Sequence, residues 1–241
     1  MDFPGFLDEV ERQSAALRAA AVRAGPGVPV PPCPGWTTQR LVSHIARVHT
    51  WVIGALDADP GTTPPKAERP PEDWDALLTW WDGQVDMLLG KLRKAGPDAP
   101  VWTFDGSDVT AFWARRQAHE TAIHRLDAEH AAGDVPTLLF DPDFAADGVD
   151  EALKMVSRKL TEEPADVEGT VLFHAADAGR AWLITLTPGR PPKIGPALEP
   201  VIDTDASLVG TADAVYRAAW HRPSTAIRSG NPELIAALRT P

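Results

Sequence analysis

Val109-Thr-Ala-Phe-Trp113-Ala-Arg-Arg116-Gln-Ala-His-Glu120-Thr-Ala-Ile-His124-Arg-Leu-Asp127-Ala contains neither proline nor glycine. It reads as the middle of a helix from about Ser107 to Ala132, with Ser107 or Asp108 available as cap and Gly133 placed to end it. Taking Val109 as zero and turning about 100° per residue, Phe112, Trp113 and Ile123 fall within about 60° of one direction and define an apolar face. Arg116, Glu120, His124 and Asp127 fall on that same face. A helix that sets four ionisable side chains among Val, Phe, Trp and Ile either buries costly charge or uses it.

Three more helices precede this one. Phe6, Val10, Leu17 and Ala21 recur at helical spacing between Phe3 and Ala24, and Gly25-Pro26-Gly27 ends that segment. After Pro34-Gly35-Trp36, Thr37 is a suitable N-cap, and Leu41, Ile45, Val48, Val52 and Leu56 form the next stripe. Trp74, Leu77, Leu78, Trp81, Val85, Leu88 and Leu92 form the third, stopped by Gly96-Pro97. Four amphipathic helices in succession predict an up-down four-helix bundle over residues 1–140. The texture then changes. Phe144–Leu160 reads as a helix, Val171–Ala175 and Ala181–Leu186 as a hairpin about Asp177-Ala178-Gly179, Val201–Asp203 as a short strand, and Ala212–Trp220 and Asn231–Leu238 as helices. Residues 141–241 are therefore expected to form a small α+β domain.

Glu120 and His124 are four residues apart, so their side chains stand about 6 Å apart on one face and can converge on a cation. His119 and His124 are five apart and cannot comfortably share one, which leaves His119 outside the ligand set. A third ligand must come from another helix. His44 and His49 flank the stripe of the second helix on opposite sides; His44 is favoured by its place between Leu41 and Val48, and His49 stays open. Two histidines and a carboxylate suit a divalent ion such as zinc, with one position left for a reactant. The competing readings are structural: a hydrogen-bonded Glu120–His124 pair, and an internal Arg116–Asp127 salt-bridge network.

The chain of 241 residues carries 23 Lys and Arg against 34 Asp and Glu, a net charge of −11 that disfavours nucleic acid as a partner. No stretch approaches the roughly 18 apolar residues of a membrane span, and the acidic start Met1–Glu11 lacks the pattern of a secretory signal. A cytoplasmic location is expected. Cys33 is the only cysteine, so no internal disulfide forms; wedged between Pro32 and Pro34, it reads as a small apolar filler. His174 and His221 read as structural or surface residues. There is no G-x-S-x-G, no G-x-G-x-x-G after a strand and no phosphate-binding G-x-x-x-x-G-K-[ST].

Pro32-Cys33-Pro34-Gly35-Trp36-Thr37, followed by Leu41-Val-Ser-His44-Ile45, resembles an element of the mycothiol-dependent maleylpyruvate isomerase family, and Trp113–Ala128 resembles that family's fourth-helix signature. Ala146–Glu151 and Gly230–Leu238 are similar to its carboxy-terminal domain. The resemblance implies a DinB-like bundle that binds a divalent metal, usually zinc, through His44, Glu120 and His124, followed by a sterol-carrier-like α+β module. It also implies mycothiol as cosubstrate and a small-molecule substrate, with the thiol adding to a cis double bond, permitting rotation, and leaving. A thiol at the open metal position loses its proton readily. Trp36 stands beside the mouth, Arg116 is placed to clamp a substrate carboxylate or the cosubstrate, and Asp127 to orient a ligand or Arg116. The rim is expected from Asp57–Pro71 and Trp102–Gly106. The expected activity is that of an isomerase or S-transferase on a small electrophile. A metal-dependent hydrolase using activated water, or a non-enzymatic metal or small-molecule binding protein, are the alternatives. The residues do not reveal the oligomeric state.

Overall fold

Each of the first three helices is started by a capping side chain in the computed structural model, which describes residues 1–64, 66–134, 140–197 and 203–240. Helix α1 (Phe3–Ala24) is capped by the Asp2 carboxylate accepting from the Gly5 N–H. Helix α2 (Thr38–Asp57) is capped by the Thr37 hydroxyl, as its sequence predicts. Helix α3 (Trp74–Ala95) is capped by Asp73 and closed by Gly96, whose φ of 75° is the left-handed conformation that glycine adopts without strain.

Helix α4 (Thr110–Ala131) departs from expectation at its start. Neither Ser107 nor Asp108 caps it. Asp108 takes a left-handed φ of 52°, and its carboxylate accepts from the N–H and hydroxyl of Thr103, so Val109 stands at the cap with no side-chain bond.

The four helices lie in a compact unit, Met1–Pro136. Leu17, Leu41, Ile45, Leu77 and Trp81 are completely or almost completely buried in one core. Helix α1 packs chiefly on α4 and α2 chiefly on α3, and α4 also meets α2. Helix α4 therefore has no solvent face of the usual width. Fourteen of its 22 residues are buried, on the α1 side as well as on the side that the wheel identifies.

The second unit, Thr137–Pro241, begins with α5 (Pro142–Glu162) and continues as β1 (Gly169–Ala175), β2 (Arg180–Leu186), β3 (Lys193–Pro196), β4 (Ala206–Gly210), α6 (Ala212–Ala219), β5 (Ile227–Gly230) and α7 (Pro232–Ala237). The sheet order is β3-β2-β1-β4-β5, with β1 and β4 parallel and every other pair antiparallel. The hairpin expected at Asp177–Gly179 joins β1 to β2. Gly148 on α5 lies against the Tyr216 ring of α6 so closely that a Cβ there would collide with it. Of the strand expected at Val201–Asp203, Val201 and Ile202 lie outside the described residues and Asp203 belongs to no strand. Strand β4 begins instead at Ala206. The fold is a four-helix bundle followed by an α+β unit. No described helix is long and apolar enough to cross a membrane.

Candidate metal centre

The site is built where α2 meets α4, under the turn that leads into α2. Within that turn Val30 and Trp36 are joined by a backbone hydrogen bond of 3.0 Å. The Cys33 N–H donates to Val30 O (2.9 Å), and the Trp36 N–H donates to Cys33 O (3.0 Å). Gly35, at φ 79°, supplies the left-handed residue that lets the chain reverse. Trp36 consequently lies beside both histidines: its ring is 5.0 Å from that of His44 and stacks at 6.0 Å on that of His124.

Two turns into α2, His44 brings Nε2 to 3.2 Å from Glu120 Oε1, and His124 brings its own Nε2 to 3.4 Å from the same oxygen. The two imidazole rings stand edge to face, 4.9 Å apart. His44, Glu120 and His124 thus offer three donor atoms within 4.8 Å of one another. On the far side of the His124 ring, Nδ1 lies 2.9 Å from Asp127 Oδ2, and Asp127 is fully buried. Arg116, one turn before Glu120, forms an ion pair with Glu120 Oε2.

These contacts set the charge states. Burial opposes ionisation of Glu120, but the Arg116 guanidinium and the hydrogen bonds of His124 and His44 outweigh it and hold its carboxyl well below the usual carboxylate range. Burial likewise opposes the charged form of His124. Hydrogen bonds to Asp127 and Glu120, and the charges of both carboxylates, overcome it and raise the pKa to about 9.

Neither His49 nor His119 joins this group of donors. His49 is completely buried; its Nδ1 accepts from the Trp81 indole N–H at 3.2 Å, and its Nε2 meets the Thr121 hydroxyl at 3.3 Å. Burial pushes its pKa down to about 4. It is a neutral, hydrogen-bonded core histidine on the opposite flank of α2 from His44. His119 is fully buried against the edge of Phe6 of α1.

Residues 7–129 match the family model of the mycothiol maleylpyruvate isomerase N-terminal domain, and residues 143–235 match that of the MDMPI C-terminal domain. The chain belongs to the mycothiol maleylpyruvate isomerase family, a family of enzymes. Two crystal structures share the fold. One, of the mycothiol-dependent maleylpyruvate isomerase, is 19% identical with a TM-score of 0.65; the other, of a single-site mutant of it, is 18% identical with a TM-score of 0.63. Each alignment covers 95% of this chain and 93% of the other. No curated protein matches the chain.

Three features of this family member lie outside the sequence expectations. Cys33 packs against the bundle core as a small filler does, but its thiol also donates to Asp127 Oδ2 at 3.3 Å, which places it with His124 and Asp127 in a second group of potential ligands. Arg116 is engaged by Glu120, and it does not line the cleft beside the site. That cleft, about 800 Å³, opens at His44 and Trp51 and is walled by Arg47, Lys66, Arg69 and Glu72. Residues from the Asp57–Pro71 connection do form its rim, whereas Trp102–Gly106 does not. Trp102 and Phe104 pack on Trp113, and Thr103, Asp105 and Ser107 bond one another. Spacing offered one signal for the cleft: Arg47 follows His44 by three residues, on the same side of α2.

Proposed function

We propose that this chain is a metal-dependent, thiol-using isomerase. In this reading, His44, Glu120 and His124 hold a divalent ion such as zinc, and mycothiol is the nucleophilic cosubstrate. The observation that carries the reading is the spacing of the donors. Ligands of a tetrahedral zinc at about 2.0–2.1 Å lie about 3.3 Å from one another, and Glu120 Oε1 stands 3.2 and 3.4 Å from the two Nε2 atoms. Charge-assisted hydrogen bonds prefer about 2.7–2.9 Å, the separation found instead between His124 Nδ1 and Asp127. The first group also fits a cation, whereas the second pair stands too close for two ligands of one tetrahedral ion. His49 and His119, the two nearby histidines able to close the centre with a fourth protein ligand, are committed elsewhere. This weakens the reading as a purely structural metal in a binding protein.

A cation held there would favour thiolate over thiol and so supply a nucleophile near neutral pH. The protein's own groups do the remaining work. Asp127 accepts a hydrogen bond from the Nδ1–H of His124 and turns Nε2 toward Glu120 and His44. Trp36 covers the pair of imidazoles. On a chain of net charge −11, the cleft gathers Arg47, Lys66 and Arg69, which form no ion pair among the described residues. They suit a carboxylate-bearing electrophile, and they take over the clamping role that the sequence suggested for Arg116. In the cleft, thiolate adds to the cis double bond: a C–S bond forms as the C=C π bond breaks, and its electron pair moves onto the conjugated carbonyl as an enolate, from which it returns when the thiolate leaves. Rotation about the resulting single bond and expulsion of the thiolate restore the alkene as trans, with no net redox change.

Metal analysis of the purified protein, followed by assay of a cis-unsaturated keto acid such as maleylpyruvate with and without mycothiol, tests this reading. Stoichiometric metal and strictly thiol-dependent cis-to-trans conversion are expected. Turnover with water alone, yielding a cleaved product, would establish the hydrolase, and a metal-free protein that is fully active would remove the ligand assignment.

A further inference from the structure

We infer that the Cys33 thiol is a positioning residue for the metal centre: by hydrogen-bonding Asp127 it fixes the His124 ring so that Nε2 faces Glu120 and His44. The inference rests on the metal reading above and adds a residue to it from outside the ligand set.

Three observations carry it. Asp127 is fully buried, and its Oδ2 serves both the His124 Nδ1–H, at 2.9 Å, and the Cys33 S–H, at 3.3 Å. A buried carboxylate oxygen with two donors on it has its direction set by both, and an imidazole behind a metal takes its orientation from the carboxylate it bonds.

The thiol also comes from a different element than its acceptor. Cys33 belongs to the turn into α2, the helix that carries His44, whereas Asp127, Glu120 and His124 all lie on α4. The S–H···O contact therefore ties the register of one ligand-bearing helix to the other at the level of the site.

The tie is itself rigid. Pro32 and Pro34 flank Cys33 and fix φ on either side of it. Its own N–H and C=O are both bonded within the turn, and the Trp36 at the turn's end lies against both imidazoles. Cys33 is unsuited to direct ligation in this arrangement. Sulfur at about 2.3 Å and nitrogen or oxygen at about 2.0–2.1 Å from a tetrahedral zinc would keep His124 Nδ1 and Asp127 Oδ2 about 3.3 Å apart, and they stand closer, at 2.9 Å.

The test is zinc affinity, measured by chelator competition on the full-length protein, for the wild type and for Cys33→Ser, Cys33→Val and Cys33→Ala. Serine keeps a donor, and valine keeps bulk without one. Cys33→Ser should bind zinc within about threefold of wild type, whereas Cys33→Val and Cys33→Ala should each lose about tenfold, the lower end of what groups behind a ligand contribute. Cobalt-loaded wild type should show no thiolate-to-cobalt charge-transfer band. Equal affinities across the series, or such a band, overturns the inference. Glu120→Ala in the same assay tests the ligand assignment separately. Should the wild type take up no zinc, that assignment falls, and the role of Cys33 is read in the metal-free protein at fixed pH from the nitrogen-15 signal of the His124 Nδ1–H. Its persistence in wild type and Cys33→Ser, with loss in Cys33→Val, supports the positioning role, and persistence in all three overturns it.

Discussion

Helix α4 buries polar side chains on two sides, and the sides differ in what those groups do. Toward α1, Arg125 donates to Glu129 at 2.8 Å and to Gln13 Oε1 at 3.0 Å, while Gln13 donates to Glu9 at 2.8 Å. These side chains pair with one another in a ladder. Toward α2, two imidazole nitrogens converge on a single carboxylate oxygen at 3.2 and 3.4 Å. Buried polarity alone therefore does not mark a site. On the metal reading, what sets the α2 side apart is two imidazoles and a carboxylate whose mutual distances also suit the ligands of one tetrahedral cation.

The largest effect that separates the two sides is expected at Glu120. Glu120→Ala removes the donor shared by both histidines, so metal content and thiol-dependent turnover should fall by more than about 100-fold, beyond what groups behind a ligand cost. Metal analysis and initial rates check this. A Glu120→Ala protein that keeps both metal and turnover would break the contrast, since the α2 side would then be as structural as the α1 side.

His49 sharpens the comparison within a single helix, because it shares α2 with His44 yet serves only packing. Its folded pKa of about 4 lies below the ordinary 6.5, so between these values the unfolded chain binds the extra proton. Stability is then full above about pH 6.5 and falls as pH drops toward 4, by up to about 3 kcal/mol. Urea denaturation should show a loss of about 2 kcal/mol between pH 7 and pH 5 from this group. His49→Gln should flatten that part of the profile while lowering stability at pH 7, through loss of the Trp81 or Thr121 bond. An unchanged slope in the variant would show that His49 carries a proton in the folded state.

The α1 side gives the complementary outcome. Arg125→Ala leaves the buried Glu129 and Gln13 without their shared donor, at a cost of about 1–3 kcal/mol. Metal content and turnover per folded molecule should not change, and calorimetry with metal analysis on one sample reads both.

The same contrast explains what the sequence could reveal. Helices α1 to α3 present one apolar stripe each, so periodicity located them to within a few residues. Caps such as Thr37 and Gly96 were equally legible, because their chemistry is local. The face of α4 that carries Arg116, Glu120, His124 and Asp127 emerged from the wheel because i and i+4 positions share a face whatever surrounds them. The second buried face did not, since a wheel drawn from one direction treats the opposite side as solvent. Strand β3 lies among Pro191, Pro192 and Pro196, and its turn-rich composition hid it. Asp108 spends its carboxylate on Thr103, a choice made by loop closure. Cys33 is 94 residues from Asp127, and neither spacing nor composition couples positions that far apart.

The cleft beside His44 offers the smallest predicted effect and the one most specific to substrate. Arg47 lies one turn beyond His44 on α2 and, like Lys66 and Arg69, forms no ion pair among the described residues. If these cations hold a substrate carboxylate, their contribution is to binding in ground and transition state alike, so Arg47→Gln should raise KM about fivefold to tenfold with kcat nearly unchanged. The added KM should shrink at high ionic strength, where screening already weakens the attraction in the parent protein. A neutral ester of the same electrophile should respond little to the substitution. A fall in kcat with KM unchanged would instead place Arg47 in the chemical step and merge the cleft with the metal centre as one working unit. Unchanged kinetics on the acid would leave the cleft's charge without a role in substrate selection, and the contrast between the two sides of α4 would rest on the metal ligands alone.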